Sequence, residues 1–408
     1  MSALPLCGMR VLDLTQALAG PFATMIMADL GADVIKIESP KGDMTRMTPP
    51  HYTSGTSLYF IANNRNKRSV VLDLKNEAHL DAFYALVRKA DVVFSNFSVG
   101  VVERLKIDHE TLVQMNPAIV TCNITGYGRK GSQSNRRAVD VIVQSIAGAM
   151  SITGEPGGRP VRAGVPSGDL SAGLYAVIGI LAALHARRET GRGMRVDGSL
   201  FHSQLSLLNY MATYAVATGR SPEKVGSGHP GTVPSQCFET SDGWITIDAG
   251  FNQHFTQFCR LLGLEQLAED PRFKERPARA KHREPLLARI SAEVRKHSTA
   301  SLLQLLDANG IPCGPVNDVL AAVTNPQSIE YQSMRSVPFL DAEVPVLATP
   351  IWFDGSVGHP LNPPPLLGQH TRDVLRELGG LPDDRIDAII GAARGTDSQR
   401  PSPTGADT

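Results

Sequence analysis

The sequence has little of what would place it in several large protein classes. Its 408 residues include only five cysteines, two tryptophans and 6% aromatics. The cysteines (Cys7, Cys122, Cys237, Cys259, Cys313) are odd in number, scattered and form no CxxC pair. That pattern fits reduced, mostly buried thiols in the cytoplasm better than a disulfide framework or a zinc site. Excess charge of either sign is also missing, since forty basic residues balance forty acidic ones. Broad attraction to nucleic acid or an anionic membrane therefore has no electrostatic basis. The opening MSALPLCGMRVLDLTQ reaches charge and a strand pattern too soon for a signal peptide. The most apolar run, 170–184, is too short for a bilayer span and ends in His185, Arg187 and Arg188. A soluble cytoplasmic protein is expected. No internal repeat occurs, and no GxGxxG follows the first strand, where LTQALAGP stands instead. A dinucleotide-dependent dehydrogenase is thereby excluded.

What is present is an ordinary globular composition, 42% hydrophobic and 20% charged, in a chain long enough for two cores. MRVLDL (9–14) has the pattern of a buried strand, and GPFATMIMADLG (20–31) that of a helix closed by glycine. ADVIKIE (32–38) is the next strand. The alternation continues with strands at 68–74, 91–97, 118–124 and 194–198, and helices at 76–89 and 109–115. Such alternation predicts an α/β, Rossmann-like parallel sheet with helices on both faces. An apolar helix is expected over about 200–217. The Gly/Pro-rich crossing GSGHPGTVPSQ (226–236) then opens a smaller α+β domain, with a hairpin over 237–249 and helices at 252–264 and 284–308. The expected division is a large domain over 1–225, a small one over 226–325, a return to the large domain over 326–392 and a disordered tail over 393–408.

One acid stands out. Asp169 opens an otherwise nearly uncharged helix, 170–186, in GVPSGDLSAGLYAVIGILAALHARRETGRG. The plain reading is an N-cap. The functional reading is a nucleophile, which also needs a carboxylate that is ionised and fixed in place. The two are compatible.

Five segments in order carry a family resemblance: LDLTQALAGPFATMIMADLGADVIKIE, NRNKRSVVLDLKN, ADVVFSNFSVGVVERL, GDLSAGLYAVIGILAALHARRETGRG and VPSQCFETSDGWITIDAG. Together they resemble the family III CoA-transferases, over about residues 8–380. Alpha-methylacyl-CoA racemase is a relative on the same fold. The resemblance implies that Asp169 attacks an acyl-CoA thioester and relays CoA through anhydride and aspartyl-CoA intermediates. It implies CoA contacts at Ala17, Leu18, Leu72, Lys75, Asn96, Phe97, Arg104 and Arg137, with Arg136 an alternative in SNRRAVD. No tightly bound cofactor and no metal is implied; the CoA thioester enters as a substrate. It further implies an interlocked homodimer. Two departures from the formyl-CoA transferases stand out. Leu18 replaces a glutamine, and DAGFNQHFTQ (248–257), with only Gly250, stands where a glycine-run loop is expected. Gln253 is the candidate to act there. Gly168 is expected to permit a sharp turn and leave room for the thioester.

Two other functions compete. A racemase of this fold would need a histidine before the acid of RRAVDVIVQ, but that position is Val139, followed by Asp140. A non-catalytic acyl-CoA-binding protein would have no use for Asp169. The expected reaction is CoA transfer from a short acyl-CoA such as succinyl-CoA to a small dicarboxylic acid. Arg46, Arg65 and Gln253 are the candidates for its second carboxylate.

Overall fold

A computed structural model describes residues 4–354 and 361–395. The chain divides into two compact units, Met1–Ala149 with Ala163–Asn209 and Gln327–Thr408, and Met150–Arg162 with Tyr210–Pro326.

The first unit is built on six parallel strands: β1 (Arg10–Asp13), β2 (Asp33–Glu38), β3 (Lys67–Val71), β4 (Val92–Ser95), β5 (Val120–Thr125) and β6 (Arg195–Ser199). Their spatial order is β3-β2-β1-β4-β5-β6. The chain winds outward in one direction from β1, then returns and winds outward from β4, so the order reverses between those two strands. Alternate side chains feed two cores. Val11, Val92, Phe94 and Val120 face α1 (Ala19–Asp29) and the later helix Ser167–Thr190. Leu12, Ile35, Val70 and Val93 face the helix Glu77–Val87 and the C-terminal helices Thr371–Glu377 and Asp383–Gly395. The intervening helices are α2 (Leu58–Asn64), α3 (Glu77–Val87), α4 (Val101–Arg104), α5 (His109–Met115), α6 (Asp140–Ile146), α7 (Ser167–Thr190) and α8 (Leu200–Ser206).

Local chemistry sets several boundaries. Asn76 caps α3, its Oδ1 accepting from the N–H groups of Ala78 and His79. Gly191 ends α7 in the left-handed region at φ 65°. At 24 residues α7 is long and apolar enough to cross a membrane by length and composition, contrary to the shorter run expected. Its Ala172, Ala176, Ile180 and Ala183 are nonetheless buried in the first core. At Gly173 it meets α1 so closely that a Cβ would lie 2.6 Å from the Ala19 carbonyl oxygen.

The second unit carries a three-stranded antiparallel sheet of Ser235–Glu239, Trp244–Asp248 and Cys313–Pro315. Phe238, Ile245 and Ile247 pack there on Phe255, Phe258, Leu286 and Leu302 from its helices. The unit is larger than expected. The helix anticipated over 200–217 breaks at Asn209, whose φ of 47° is incompatible with continuation, and Tyr210–Thr218 joins the second unit. Residues 150–162 join it as well, because Lys224 donates to the carbonyls of Gly158 and Arg159 at 2.9 and 2.7 Å. The helix expected over 284–308 is two, Arg283–Val294 and Thr299–Asp307, with Ser298 capping the second. Residues 393–395, expected in the tail, end a helix instead; the rest of the expected tail, 396–408, lies outside the described residues.

Beneath the carboxyl ends of β1, β2 and β3 lies a buried set of charges. Lys67 meets Asp13 at 3.1 Å, Lys36 meets Asp43 at 2.9 Å and Arg46 meets Glu38 at 2.6 Å. Burial would push the Asp13 carboxyl up. Lys67, Lys36 and the hydroxyls of Thr15 and Thr24 overcome it and hold the group at about 2. Replacing Lys67 by methionine strands Asp13, Asn64 Oδ1 and the Pro21 carbonyl. Urea unfolding is expected to register a loss of about 3–5 kcal/mol. The doubly neutral Lys67→Met/Asp13→Leu chain should recover part of it; an unchanged single variant would contradict this account.

Candidate active site

Open α/β sheets hold ligands where the strand order reverses, outside the carboxyl ends. Here that point is between β1 and β4. The loops after them are locked together: Gln16 N–H donates to Asn96 Oδ1 at 2.9 Å, and Asn96 Nδ2 returns a bond to the Gln16 carbonyl at 2.7 Å. Lys36 Nζ, from below, donates to the Thr15 carbonyl at 2.8 Å. Held from both sides, Ala17 adopts φ 64°, a left-handed conformation that costs a non-glycine residue energy unless its surroundings impose it. A cleft of about 370 Å³ opens above, lined by Ala17–Ala19, Asn96–Val99, Ile124–Gly126, Ser134–Val139, Asp169 and Leu200. A larger cavity of about 600 Å³ lies beside Pro40, Val71 and Arg372, but its carboxylate, Asp387, is ion-paired with Arg372. The first cleft, at the switch point, holds the carboxylate of Asp169, unpaired among the described residues.

Asp169 is in its wall, but not as a cap. The N-cap position of α7 is Pro166, so Asp169 is the third helical residue, and no side chain of α7 caps its own end. The cap comes from another helix. Asp140, first residue of α6, accepts the Gly168 N–H at 2.9 Å and the Asp169 N–H at 3.2 Å through Oδ1, and its Oδ2 accepts from Gln144 at 2.7 Å. Gly168 has a helical role rather than turning the chain: a Cβ there would stand 3.1 Å from Asp140 Oδ1. With the amides taken, the Asp169 carboxylate is free to face the cleft. Burial, and then the nearby charge of Asp140, push it up from 3.8 to about 6. The helix terminus therefore does not hold this acid in its ordinary range. Tyr59 of α2 belongs to the same environment. Burial, and then Asp169, Asp43 and Asp140, push its phenol up to about 12, so it stays a hydrogen-bond donor at neutral pH.

The structure brings together Ala17, Leu18, Asn96, Phe97, Arg137 and Asp169 around one cleft. Arg136 lines it too, but donates to Gln133 and lies 5.4 Å from the Tyr127 ring centre. Arg137 lines it as well, and neither arginine forms an ion pair among the described residues, so both remain candidates. Leu72 is core, 1% exposed, and Lys75 is exposed on the loop after β3. Arg104 ends α4, which starts at left-handed Gly100 (φ 83°), and its Nη1 curls back to 3.1 Å from where a Cβ would stand on that glycine. Neither Lys75 nor Arg104 lines the cleft, and neither forms an ion pair among the described residues. Gln253 is in the second unit, exposed on the helix Asn252–Leu261, and does not line the cleft. Arg46 and Arg65 are corrected outright: each is buried in a two-pronged contact, with Glu38 and with Asp29 respectively. No histidine lines the cleft, and Val139 is 60% exposed beside Asp140. Sequence reasoning missed the cap. Asp140 was visible at the start of α6, but no local pattern says which helix its carboxylate reaches.

The family model for CoA-transferase family III matches residues 6–371. The chain is 35% identical to succinyl-CoA:glutarate CoA-transferase of Mus musculus, an alignment covering 95% of this chain and 89% of that one. It is 40% identical to acetyl-CoA:oxalate CoA-transferase of Acetobacter aceti, covering 79% and 84%. Among solved structures, a CAIB/BAIF family protein from Brucella suis superposes with a TM-score of 0.83 at 36% identity, covering 92% of this chain and 100% of that one.

Raising Asp169 costs stability wherever the folded protein must hold it ionised. The folded chain keeps the proton up to about pH 6, whereas an unfolded aspartate releases it near 4. Stability therefore falls as pH rises through that window and the deficit stays constant above it. Asp169→Asn is expected to be more stable than the natural chain by up to about 3 kcal/mol above pH 6.5, with the gap closing below about pH 4. Asp140→Asn keeps an acceptor for the helix but removes the charge. The Asp169 midpoint, followed by carboxyl ¹³C chemical shift, should then move below 6 while staying above the value for a free aspartate.

Proposed function

The chain belongs to CoA-transferase family III, and from that premise we propose that it moves CoA from a short acyl-CoA, such as succinyl-CoA, to a small dicarboxylic acid, with Asp169 as the covalent relay. One observation carries this reading: the Asp169 carboxylate, freed from capping by Asp140, stands in the wall of the switch-point cleft.

The Asp169 carboxylate attacks the thioester carbonyl of the donor, forming a mixed anhydride and expelling CoA thiolate. The thiolate attacks the aspartyl carbonyl, which releases the donor acid and leaves an aspartyl-CoA thioester. The acceptor carboxylate attacks that carbonyl, again expelling thiolate. The thiolate then takes the acceptor's acyl group from the second anhydride and regenerates Asp169. Every step exchanges one good leaving group for another and none needs a general base, which agrees with the absence of histidine from the cleft lining. A carboxylate with a midpoint near 6 remains about nine-tenths ionised at pH 7 and is more basic than an ordinary aspartate, hence a stronger nucleophile. Arg137, Arg104 and Lys75, which form no ion pair among the described residues, suit the phosphates of CoA. The glutarate and oxalate substrates named for relatives support a dicarboxylic acceptor.

The assembly we assign is a homodimer. Three helices packed on one another leave large apolar side chains in solvent: Ile142 and Ile146 on α6, Leu174, Tyr175 and Ile178 on α7, Leu205 on α8. Such a surface on a soluble chain calls for a covering partner. All five cysteines are free, which suits the reducing cytoplasm we assign to it.

Asp169→Ala should reduce transfer to background while CoA still binds. With succinyl-CoA alone, hydroxylamine should convert Asp169 of the natural chain to a hydroxamate detectable by peptide mass spectrometry. An active alanine variant would remove Asp169 from the mechanism. Light scattering at micromolar concentration should return twice the 43.8 kDa chain mass; an active monomer would refute the dimer.

A further inference from the structure

Behind the Asp140 cap lies a buried side-chain amide. Gln144 stands one turn after Asp140 on α6, and it is 0% exposed. Residues four apart share a helix face, so the two side chains meet. Gln144 Nε2 donates to Asp140 Oδ2 at 2.7 Å and to the Val165 carbonyl at 3.3 Å, while its Oε1 accepts the Ala163 N–H at 2.9 Å. An amide can be turned end for end, but here its neighbours fix it. Turned over, Nε2 would face the Ala163 N–H, and Oε1 would face a carboxylate and a carbonyl.

These three bonds join the two pieces that set the start of α7. Ala163 and Val165 belong to the chain entering the helix, and the Val165 carbonyl also accepts the Ser167 N–H at 2.8 Å. Asp140 accepts the Gly168 and Asp169 amides through its other oxygen. With both oxygens accepting, Asp140 is held as a carboxylate and in one orientation. On the far side, Ser167 Oγ donates to Gln204 Oε1 of α8 at 2.7 Å. Without the Nε2 donor, Oδ2 of a residue only 8% exposed would lose its hydrogen bond in the interior, a costly state for a charge. Asp140 would then turn toward water or take up a proton. Either change loosens the cap and the first turn that carries Asp169.

We propose that Gln144 is a positioning residue for Asp169: it pins Asp140 as an ionised cap and ties that cap to the segment entering α7. This rests on the reading of Asp169 as the covalent relay. Gln144 does not line the cleft and acts through Asp140 alone. The titratable and charged groups around the pair are Asp169 on α7, Tyr59 on α2, Asp43 after β2, Arg136 and Arg137 before α6, and His202 on α8. His202 is taken up by Ser199 Oγ, 2.7 Å from its Nδ1.

Two variants of the full chain test this, with succinyl-CoA and glutarate as substrates. Gln144→Met removes all three bonds and should lower kcat on the order of tenfold. KM for succinyl-CoA and inhibition by free CoA should change less than about twofold, since no CoA contact is touched. Gln144→Glu keeps the shape and the acceptor for Ala163, but it sets a second carboxyl against Asp140. Two carboxyl groups so close share one proton, and the introduced acid replaces the lost donor only while that proton is held. The rate of this variant relative to the natural chain should therefore approach unity near about pH 5.5 and fall roughly tenfold near about pH 8. A role confined to tying down Ala163 would give no such pH dependence. A kcat within about twofold of natural in Gln144→Met, or a relative rate of Gln144→Glu that ignores pH, overturns the proposal. Hydrogen exchange read by mass spectrometry on the peptide bearing Gly168 and Asp169 decides the matter without activity or the methionine variant. At about pH 8, protection there should fall on the order of tenfold in Gln144→Glu, and unchanged protection overturns the proposal. Absence of transfer in the natural protein, or an active Asp169→Ala chain, would count against the parent reading alone.

Discussion

The geometry of the first unit depends on buried charge being paired beneath its central strands. Asp13, Lys67, Lys36, Asp43, Glu38 and Arg46 come from β1, β2, β3 and the loop after β2, and almost none of them touches solvent. Charges in such a place are tolerated only in close pairs with their remaining donors and acceptors occupied. That requirement specifies where the loop after β1 can run. Asp13 takes the Thr15 amide and hydroxyl, Lys36 takes the Thr15 carbonyl, and Asn96 clamps Gln16. The left-handed Ala17 and the cleft it borders follow from these bonds.

A second constraint acts across the cleft. A helix beginning at the mouth of a site has amide N–H groups to satisfy. If Asp169 satisfied them itself, its charge would be spread into the backbone and its oxygens turned away from a ligand. Asp140 removes that demand from a different helix, at the expense of placing a second negative charge nearby. The result is a carboxylate that is desolvated, repelled by its neighbour and free of hydrogen-bonded partners on its own helix. It is a destabilising arrangement for the fold and, in the role proposed for Asp169, a reactive one.

The arginines divide by the same accounting of partners. Arg46 and Arg65 meet carboxylates and serve the architecture. Arg137 and Arg104 form no ion pair among the described residues. In the second unit, Arg276 and Arg283 donate to neutral oxygens of Gly231, Thr232 and His229. Residue type alone does not separate these roles; the identity of the acceptor does.

Much of this protein was legible in its sequence because the responsible forces are local. Apolar runs and a glycine stop located β1 to β6, α1 and α3 to within a few residues, whereas α7 starts earlier and runs on to Thr190, past the expected 170–186. The absence of GxGxxG and of a histidine at Val139 narrowed the chemistry before any coordinates. Asp169 was visible as a lone acid at a helix start. Tertiary structure decided the rest, because each remaining question turned on a partner remote in the chain. The cap on α7 comes from 28 residues upstream, and Arg65 is consumed by an acid 36 residues away. The break at Asn209 and the transfer of residues 150–162 to the second unit likewise answer to packing and to Lys224 rather than to propensity. Pairing energies in a low-dielectric interior depend on distance in space, which periodicity along a chain does not encode.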